Sequence, residues 1–170
     1  MRLSSDFFAQ DVLAAAPALL GKVLCHRLDD GTVLRGRITE TEAYMANDTA
    51  CHAHRGRTPR NAVMFAAGGL SYVYLCYGMH HLLNVVTGNE DDPQAVLVRG
   101  IVGYPGPGRL TKHLQITRTH NALDLRSSDV LWLEDDGFAV EEIRTAPRVG
   151  IGYASEEDQA RLWRFIASTK

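Results

Sequence analysis

Leu70-Ser71-Tyr72-Val73-Tyr74-Leu75-Cys76-Tyr77-Gly78-Met79-His80-His81-Leu82-Leu83-Asn84-Val85-Val86-Thr87 decides the fold. Two apolar, aromatic and β-branched runs, Leu70 to Tyr77 and His81 to Thr87, flank Gly78-Met79, which reads as a β-hairpin. Upstream, Gly21 to Leu28 and Thr32 to Glu40 form a second strand pair around the Asp29-Asp30-Gly31 turn. Downstream, Ala95 to Val102 is a near-continuous apolar strand. Leu131-Trp132-Leu133, Arg148 to Tyr153 and Leu162 to Ile166 are further candidate strands. Helices are fewer. One begins at Ser4, Ser5 or Asp6, carries Phe7, Phe8, Val12 and Leu13, is limited by Pro17, and ends by Gly21. A second runs from Arg109 to Ile116 behind the stiff Tyr104-Pro105-Gly106-Pro107-Gly108 turn. A short one near Asn61 to Phe65 interrupts a long polar connection from 45 to 69. Hairpins with a few helices predict an α+β fold. The expectation is one curved, mostly antiparallel sheet with several surrounding helices, in a single domain spanning 1–170.

The composition is that of an ordinary globular chain: 170 residues, 45% hydrophobic and 22% charged. It excludes disorder and fibres and selects no function. No apolar run is long enough to span a bilayer, and the N-terminus lacks a basic region feeding one. The expectation is a cytoplasmic protein without membrane partners. Cys25, Cys51 and Cys76 are odd in number and contain no C-x-x-C pair, which argues against a disulfide framework or a zinc ribbon. Cys25 and Cys76 read as small buried hydrophobes. The net charge of −2 opposes nucleic-acid binding by the molecule as a whole. Its distribution does not: Arg55, Arg57 and Arg60 occur without an acid between His52 and Asn61. From Arg99 to Arg126, Asp124 stands alone among five basic residues. One face of such a molecule is positive.

Several residues are out of place for scaffold. Glu40, Glu42 and Tyr44 fall on one face of a strand end, which suits a general base beside a stacking platform or, alternatively, two solvated acids. Tyr72 and Tyr74 share a strand face, as core or as stacking surface. Tyr77 stands at a hairpin tip with Met79 beside it, where an apolar side chain has little core to enter and suits insertion into a base step. His52 and His54, with Cys51 and His80-His81, admit a metal reading. The helical His-Glu-x-x-His spacing is absent, and a neutral imidazole packed on a ligand accounts for them without a metal. Arg99 interrupts Ala95-Val96-Leu97-Val98 and needs a partner, for which Glu40 and Glu42 are available; an ion pair and an active-site role both fit. Asn84 interrupts Leu82-Leu83-Val85-Val86, where a buried amide must be satisfied by a strand neighbour or a pocket wall. Lysines number only three (Lys22, Lys112, Lys170). A Schiff-base mechanism needs an amine nucleophile, and Lys112 in its turn-to-helix segment suits phosphate contact better. Water activated by a carboxylate is the expected nucleophile.

These residues fall in ordered blocks. Glu40-Thr41-Glu42-Ala43-Tyr44, Ala50-Cys51-His52, Arg57-Thr58-Pro59-Arg60-Asn61, Tyr72 to Met79, Leu83-Asn84-Val85, Val96-Leu97-Val98-Arg99, Gly108-Arg109-Leu110-Thr111-Lys112 and Arg148-Val149-Gly150-Ile151-Gly152 together resemble the alkyladenine (3-methyladenine) DNA glycosylase family, in a bacterial form. The resemblance runs from about Leu20 to Phe165. It implies that Glu42 is the general base, that Arg99 holds the attacking water, and that the backbone carbonyl of Val149 helps position it. It implies that Tyr44 stacks on one face of a flipped base and His52 and Tyr74 on the other, while Asn84 excludes the amino group of normal guanine. Tyr77, with Met79, is implied as the wedge, and Arg57, Arg60 and Lys112 as DNA contacts.

The implied activity is hydrolysis of the glycosidic bond of damaged purines in double-stranded DNA by a monomeric enzyme, leaving an abasic site, with no cofactor and no metal. Two other classes stay open on the residues: a non-catalytic nucleic-acid-binding module, and a metal-dependent hydrolase using His52, His54 and Glu42. The sequence departs from mammalian relatives in a loop one residue shorter between Tyr44 and His52, and in His80 and His81 behind the wedge.

Overall fold

The computed structural model describes residues 1–168. Nine strands make one sheet: β1 (Val23–Arg27), β2 (Val33–Met45), β3 (Ser71–Cys76), β4 (His80–Thr87), β5 (Gln94–Ile101), β6 (Tyr104–Pro105), β7 (Leu131–Glu134), β8 (Ile143–Ala146) and β9 (Arg164–Ala167). Its main order is β3-β4-β5-β2-β1-β7, and every pairing is antiparallel. The helices are α1 (Ser5–Phe8), α2 (Val12–Leu19), α3 (Pro107–His113) and α4 (Glu156–Ala160). The α+β class with a curved antiparallel sheet is as the patterning predicts. Among the described residues no helix is long and apolar enough to cross a membrane.

β2 organises the sheet. One edge pairs with β5 from Ile38 to Met45; the other pairs with β1 from Val33 to Arg37 and then with β9 from Glu40 to Glu42. Between those stretches the register shifts at Ile38, Glu40 and Thr41. A bulge of this kind bends and twists a strand. The core lies under one face, where Phe8, Val12, Ala16 and Leu19 of α1 and α2, and Leu110 and Leu114 in and beyond α3, pack on Ile38, Ala43, Val85, Val96 and Val98. Full burial of each large side chain stabilises the fold by ~1.5–3 kcal/mol.

Five elements differ from expectation. The N-terminal helix is two: Asp11 breaks the chain and caps α2, accepting from the Leu13 N–H at 2.9 Å. Pro17 lies inside α2, which continues only to Leu19. β2 runs to Met45, five residues beyond Glu40, because β5 pairs with it as far as Met45 and β9 with its Glu40 to Glu42 stretch. Arg148 to Tyr153 is an irregular loop and not a strand, turned by Gly150 at φ +73°, while β8 and α4 carried no visible periodicity. Of the cysteines, Cys25 and Cys51 are buried and Cys76 only half-buried; all three are free.

Candidate active site

The period-2 alternation of four adjacent strands builds the site. Ala43, Val73, Leu83, Val85, Val96 and Val98 point into the main core, so their neighbours must point the other way. Those neighbours are Glu42 and Tyr44 on β2, Tyr72 and Tyr74 on β3, Leu82 and Asn84 on β4, and Leu97 and Arg99 on β5. The register places them side by side: Glu42 opposite Leu97, and Asn84 opposite both Tyr72 and Leu97. The polar interruptions Asn84 and Arg99 are therefore the floor of a cleft and not errors in a core.

Glu42 is the most constrained residue there, with no exposed surface. Tyr44 Oη donates to its Oε1 at 2.9 Å, and the backbone N–H of Val149 donates to Oε2 at 2.8 Å. Arg99 Nε stands 3.8 Å from Glu42 Oε2 and 3.9 Å from Glu40 Oε1, beyond hydrogen-bond reach of either. Glu40 is satisfied instead by Arg164 at 2.8 Å. Burying a carboxylate costs several kcal/mol, whereas each donor to it returns about 1.5–3 kcal/mol. Burial wins: it pushes the Glu42 carboxyl above the usual glutamate range, against the Val149 N–H, Arg99 and the Tyr44 hydroxyl, with Glu40 adding to the rise. A carboxylate so tuned is a better proton acceptor than a solvated one. The Tyr44 phenol is raised by burial and by Glu42, so it stays protonated as a donor.

Above this lies an aromatic recess lined by Tyr44, His52, Tyr72, Tyr74, Asn84 and Tyr153. The His52 ring packs on Tyr74 with centroids 4.4 Å apart and meets Tyr72 edge-on at 6.0 Å. His52 Nδ1 is 3.0 Å from Tyr72 Oη. One side of the imidazole stays open to the cleft, yet this packing, and then the charge of Arg60, hold its pKa below the ordinary value. Neutral His52 offers one donor and one acceptor. Burial pushes the Tyr72 phenol up to about 12. Asn84 is 4% exposed, and its amide nitrogen donates to Tyr72 O at 3.2 Å. Beyond the recess the cleft continues between Arg99, Val149 and the Gly106-Pro107-Gly108 turn to Tyr77.

The hairpin tip is shaped to project. Tyr77 is 90% and Met79 72% exposed. Tyr77 has φ +51° and Gly78 φ +66°, with Met79 N–H closing the turn on Cys76 O at 3.1 Å. A tyrosine at positive φ is uncommon and costs strain. Met79 shares a groove with His81 and exposed Lys112 of α3. Arg57 and Arg60 are exposed; Arg57 lies 5.7 Å over Phe65 and 4.0 Å from Asp91. Among the described residues no group of three His, Cys, Asp or Glu side chains is arranged to hold a metal ion.

Two contributors were missed by sequence reasoning. Tyr153 lines both recess and cleft, 69% exposed, its hydroxyl donating to Ala50 O at 2.9 Å. Arg148 lies buried behind Tyr44 in an ion pair with Asp48. An arginine next to a proline in an apparent strand carries no local signal of this, because its partner Asp48 is 100 residues away in the chain.

The chain matches the methylpurine-DNA glycosylase (MPG) family over residues 6–103 and 104–170. It is 42% identical over 172 residues to a protein of Borrelia garinii, covering 94% of this chain and 92% of that one. It is 47% identical over 174 residues to one from Anaeromyxobacter dehalogenans, covering 97% and 81%. A third, from Psychrobacter cryohalolentis, is 41% identical over 188 residues, covering 93% and 87%. All three carry the name "Putative 3-methyladenine DNA glycosylase". With an aromatic-walled cleft over a carboxylate, matches of this extent make the protein a DNA glycosylase, an enzyme of DNA repair. It belongs to the methylpurine-DNA glycosylase family.

Proposed function

We propose that the enzyme flips alkylated or deaminated purines, of the 3-methyladenine, 7-methylguanine and hypoxanthine type, out of duplex DNA and hydrolyses their glycosidic bond with water activated by Glu42. The observation that carries this reading is the buried Glu42 carboxylate, oriented by Tyr44 and Val149 and facing Arg99, with Tyr44 also walling the aromatic recess.

Extruding a base costs a few kcal/mol of stacking and pairing. Tyr77 offsets that cost by filling the space left in the duplex, while basic Arg57, Arg60 and Lys112 engage phosphates. The base enters the recess with Tyr44 on one face and His52 and Tyr74 on the other. A cationic alkylpurine gains from ring faces there, roughly 0.5–2 kcal/mol. As the glycosidic bond breaks, its electron pair goes to the purine and positive charge develops on the sugar. The water oxygen bonds to the anomeric carbon and its proton passes to Glu42. A purine that starts as a cation leaves neutral and needs no acid; neutral hypoxanthine leaves with the electron pair as an anion and takes up a proton from solvent water. Because Glu42 has no exposed surface, its water must arrive between Arg99 and Val149, which both line the cleft. Arg99, unpaired at hydrogen-bond distance from either glutamate, has donors to spare for it.

The test is single-turnover base release from duplexes each bearing one defined lesion, for wild type and Glu42→Gln. The amide keeps the shape but cannot act as base, so release falls ~10²–10⁴-fold while duplex binding stays within about threefold. Activity within tenfold of wild type would remove Glu42 from this role.

A further inference from the structure

Outside the cleft, Arg148 is a buried arginine whose two terminal nitrogens make four hydrogen bonds. Neither it nor its partner Asp48 has any exposed side-chain surface. Its guanidinium forks onto both Asp48 oxygens, with Nη2 to Oδ1 at 2.9 Å. Nη1 also donates to Ala43 O at 3.0 Å, and Nη2 to Asp158 O at 3.2 Å. Its Cζ lies over two rings, 4.8 Å from the Tyr44 centroid and 5.0 Å from that of Trp163. Asp48 is itself fixed, its N–H on Met45 O and its Oδ1 accepting from the Ala50 N–H.

Three consecutive residues of β2 are thus held by two consecutive residues of one loop. Val149 binds the Glu42 carboxylate, Arg148 binds the Ala43 carbonyl, and Arg148 backs the Tyr44 ring. The loop has no strand pairing of its own between β8 and α4; Arg164 Nε holds the Pro147 carbonyl at 2.8 Å and Ile151 is buried against Ala50, but the side-chain anchor nearest Val149 is the fork of Arg148, one residue away. We infer that Arg148, locked by Asp48, is a positioning residue for the reaction: it sets the Val149 N–H against Glu42 and the Tyr44 wall against the flipped base. This rests on Glu42 being the base. A structural ion pair of this burial is weak support for stability, since an apolar pair of similar volume often substitutes without loss. Its place one residue from the donor to Glu42 is accounted for by positioning, where a displacement of about 1 Å costs ~10²-fold in rate.

The distinguishing readout is the acid limb of the pH–rate profile. Glu42 is faced by Glu40 and Tyr44 on its own strand, Arg99 on β5, Tyr74 on β3, Arg148 and Tyr153 on the loop, and Arg164 on β9 through Glu40. Of these surroundings, Arg148 variants disturb the Val149 N–H, which favours the ionised form. Its loss moves the limb to higher pH. Two variants serve: Asp48→Leu/Arg148→Met, which replaces the pair by apolar volume, and Arg148→Lys, which keeps charge and bulk but cannot reach Asp48, Ala43 and Asp158 together. Single-turnover release from a hypoxanthine duplex is measured from about pH 5 to 9, with duplex binding and thermal melting alongside. The expected result is a fall of about tenfold or more in rate, binding within about threefold, and a limb displaced upward by about half a unit or more. A folded variant with an unmoved limb, whether its rate is unchanged or lowered, overturns the inference and leaves Arg148 as core filling. Absence of release by wild type from every lesion duplex instead defeats the reading of Glu42 on which it rests.

Discussion

Val149 donates its backbone N–H to Glu42 Oε2 at 2.8 Å across 107 residues of chain. The resemblance implies a role for the Val149 carbonyl; the contact to the carboxylate itself is made by the N–H. That donor stabilises the ionised form, yet burial outweighs it. Glu42 is therefore held above its ordinary value at a cost to the folded state.

The cost predicts a signed pH dependence of stability. Folded Glu42 binds its proton more tightly than the unfolded chain does. The stability this contributes is complete below the unfolded value and is lost as pH rises through the raised folded value. Glu42→Gln removes the ionisation, so its melting temperature relative to wild type should climb between about pH 4 and pH 8. A difference that shrinks over that range would mean that Val149, Arg99 and Tyr44 outweigh burial. If Glu42 is the base, the same substitution also lowers release, so stability and activity should move in opposite directions.

Tyr77 should show the same opposition. Its ring touches little and its backbone is at φ +51°. Tyr77→Gly relieves that strain, worth about 1 kcal/mol, and should melt no lower than wild type. It should also reduce the flipped population reported by a fluorescent base analogue beside the lesion. Unchanged flipping would make Tyr77 a surface residue only.

Asn84→Ser separates gate from scaffold. Shortening the side chain removes its bond to Tyr72 O, worth about 1 kcal/mol. It also opens the recess. If Asn84 excludes the amino group of guanine, release of normal guanine rises relative to hypoxanthine. A lower melting temperature with an unchanged ratio would assign it to holding β3 and β4 together.

Borohydride should trap no covalent enzyme–DNA adduct, and the product strand should stay intact until treated with alkali. Lys22 is 3.4 Å from Asp135, and Lys112 lines the groove beside Met79, not the cleft over Glu42. The third lysine, Lys170, lies outside the described residues. A trapped adduct would require an amine nucleophile and remove water from that role.

Legibility followed the range of the interaction. The β3–β4 hairpin and its projecting Tyr77 were readable because a turn and a period of two are local properties. Asn84 and Arg99 stood out because a polar side chain in an apolar strand needs a reason, and the reason is a face that alternation alone implies. That β2 is one continuous strand from Val33 to Met45 was not readable, although Glu40, Glu42 and Tyr44 were read as sharing a strand-end face. It depends on pairing with β5 and β9, both distant in the chain.

By itself, then, the sequence determined the strand faces, the tip, the scarcity of lysine and the polar interruptions, since each is a property of neighbours in the chain. Only the tertiary structure decided that Glu42 is sealed from solvent, that an unpaired loop supplies Val149 to it, and that Arg148 and Asp48 lock that loop behind Tyr44. The physical reason is that desolvation and long-range donors have no local pattern: they arise when residues 42, 48, 99, 148 and 149 are brought together, and a carboxylate takes its chemistry from those surroundings.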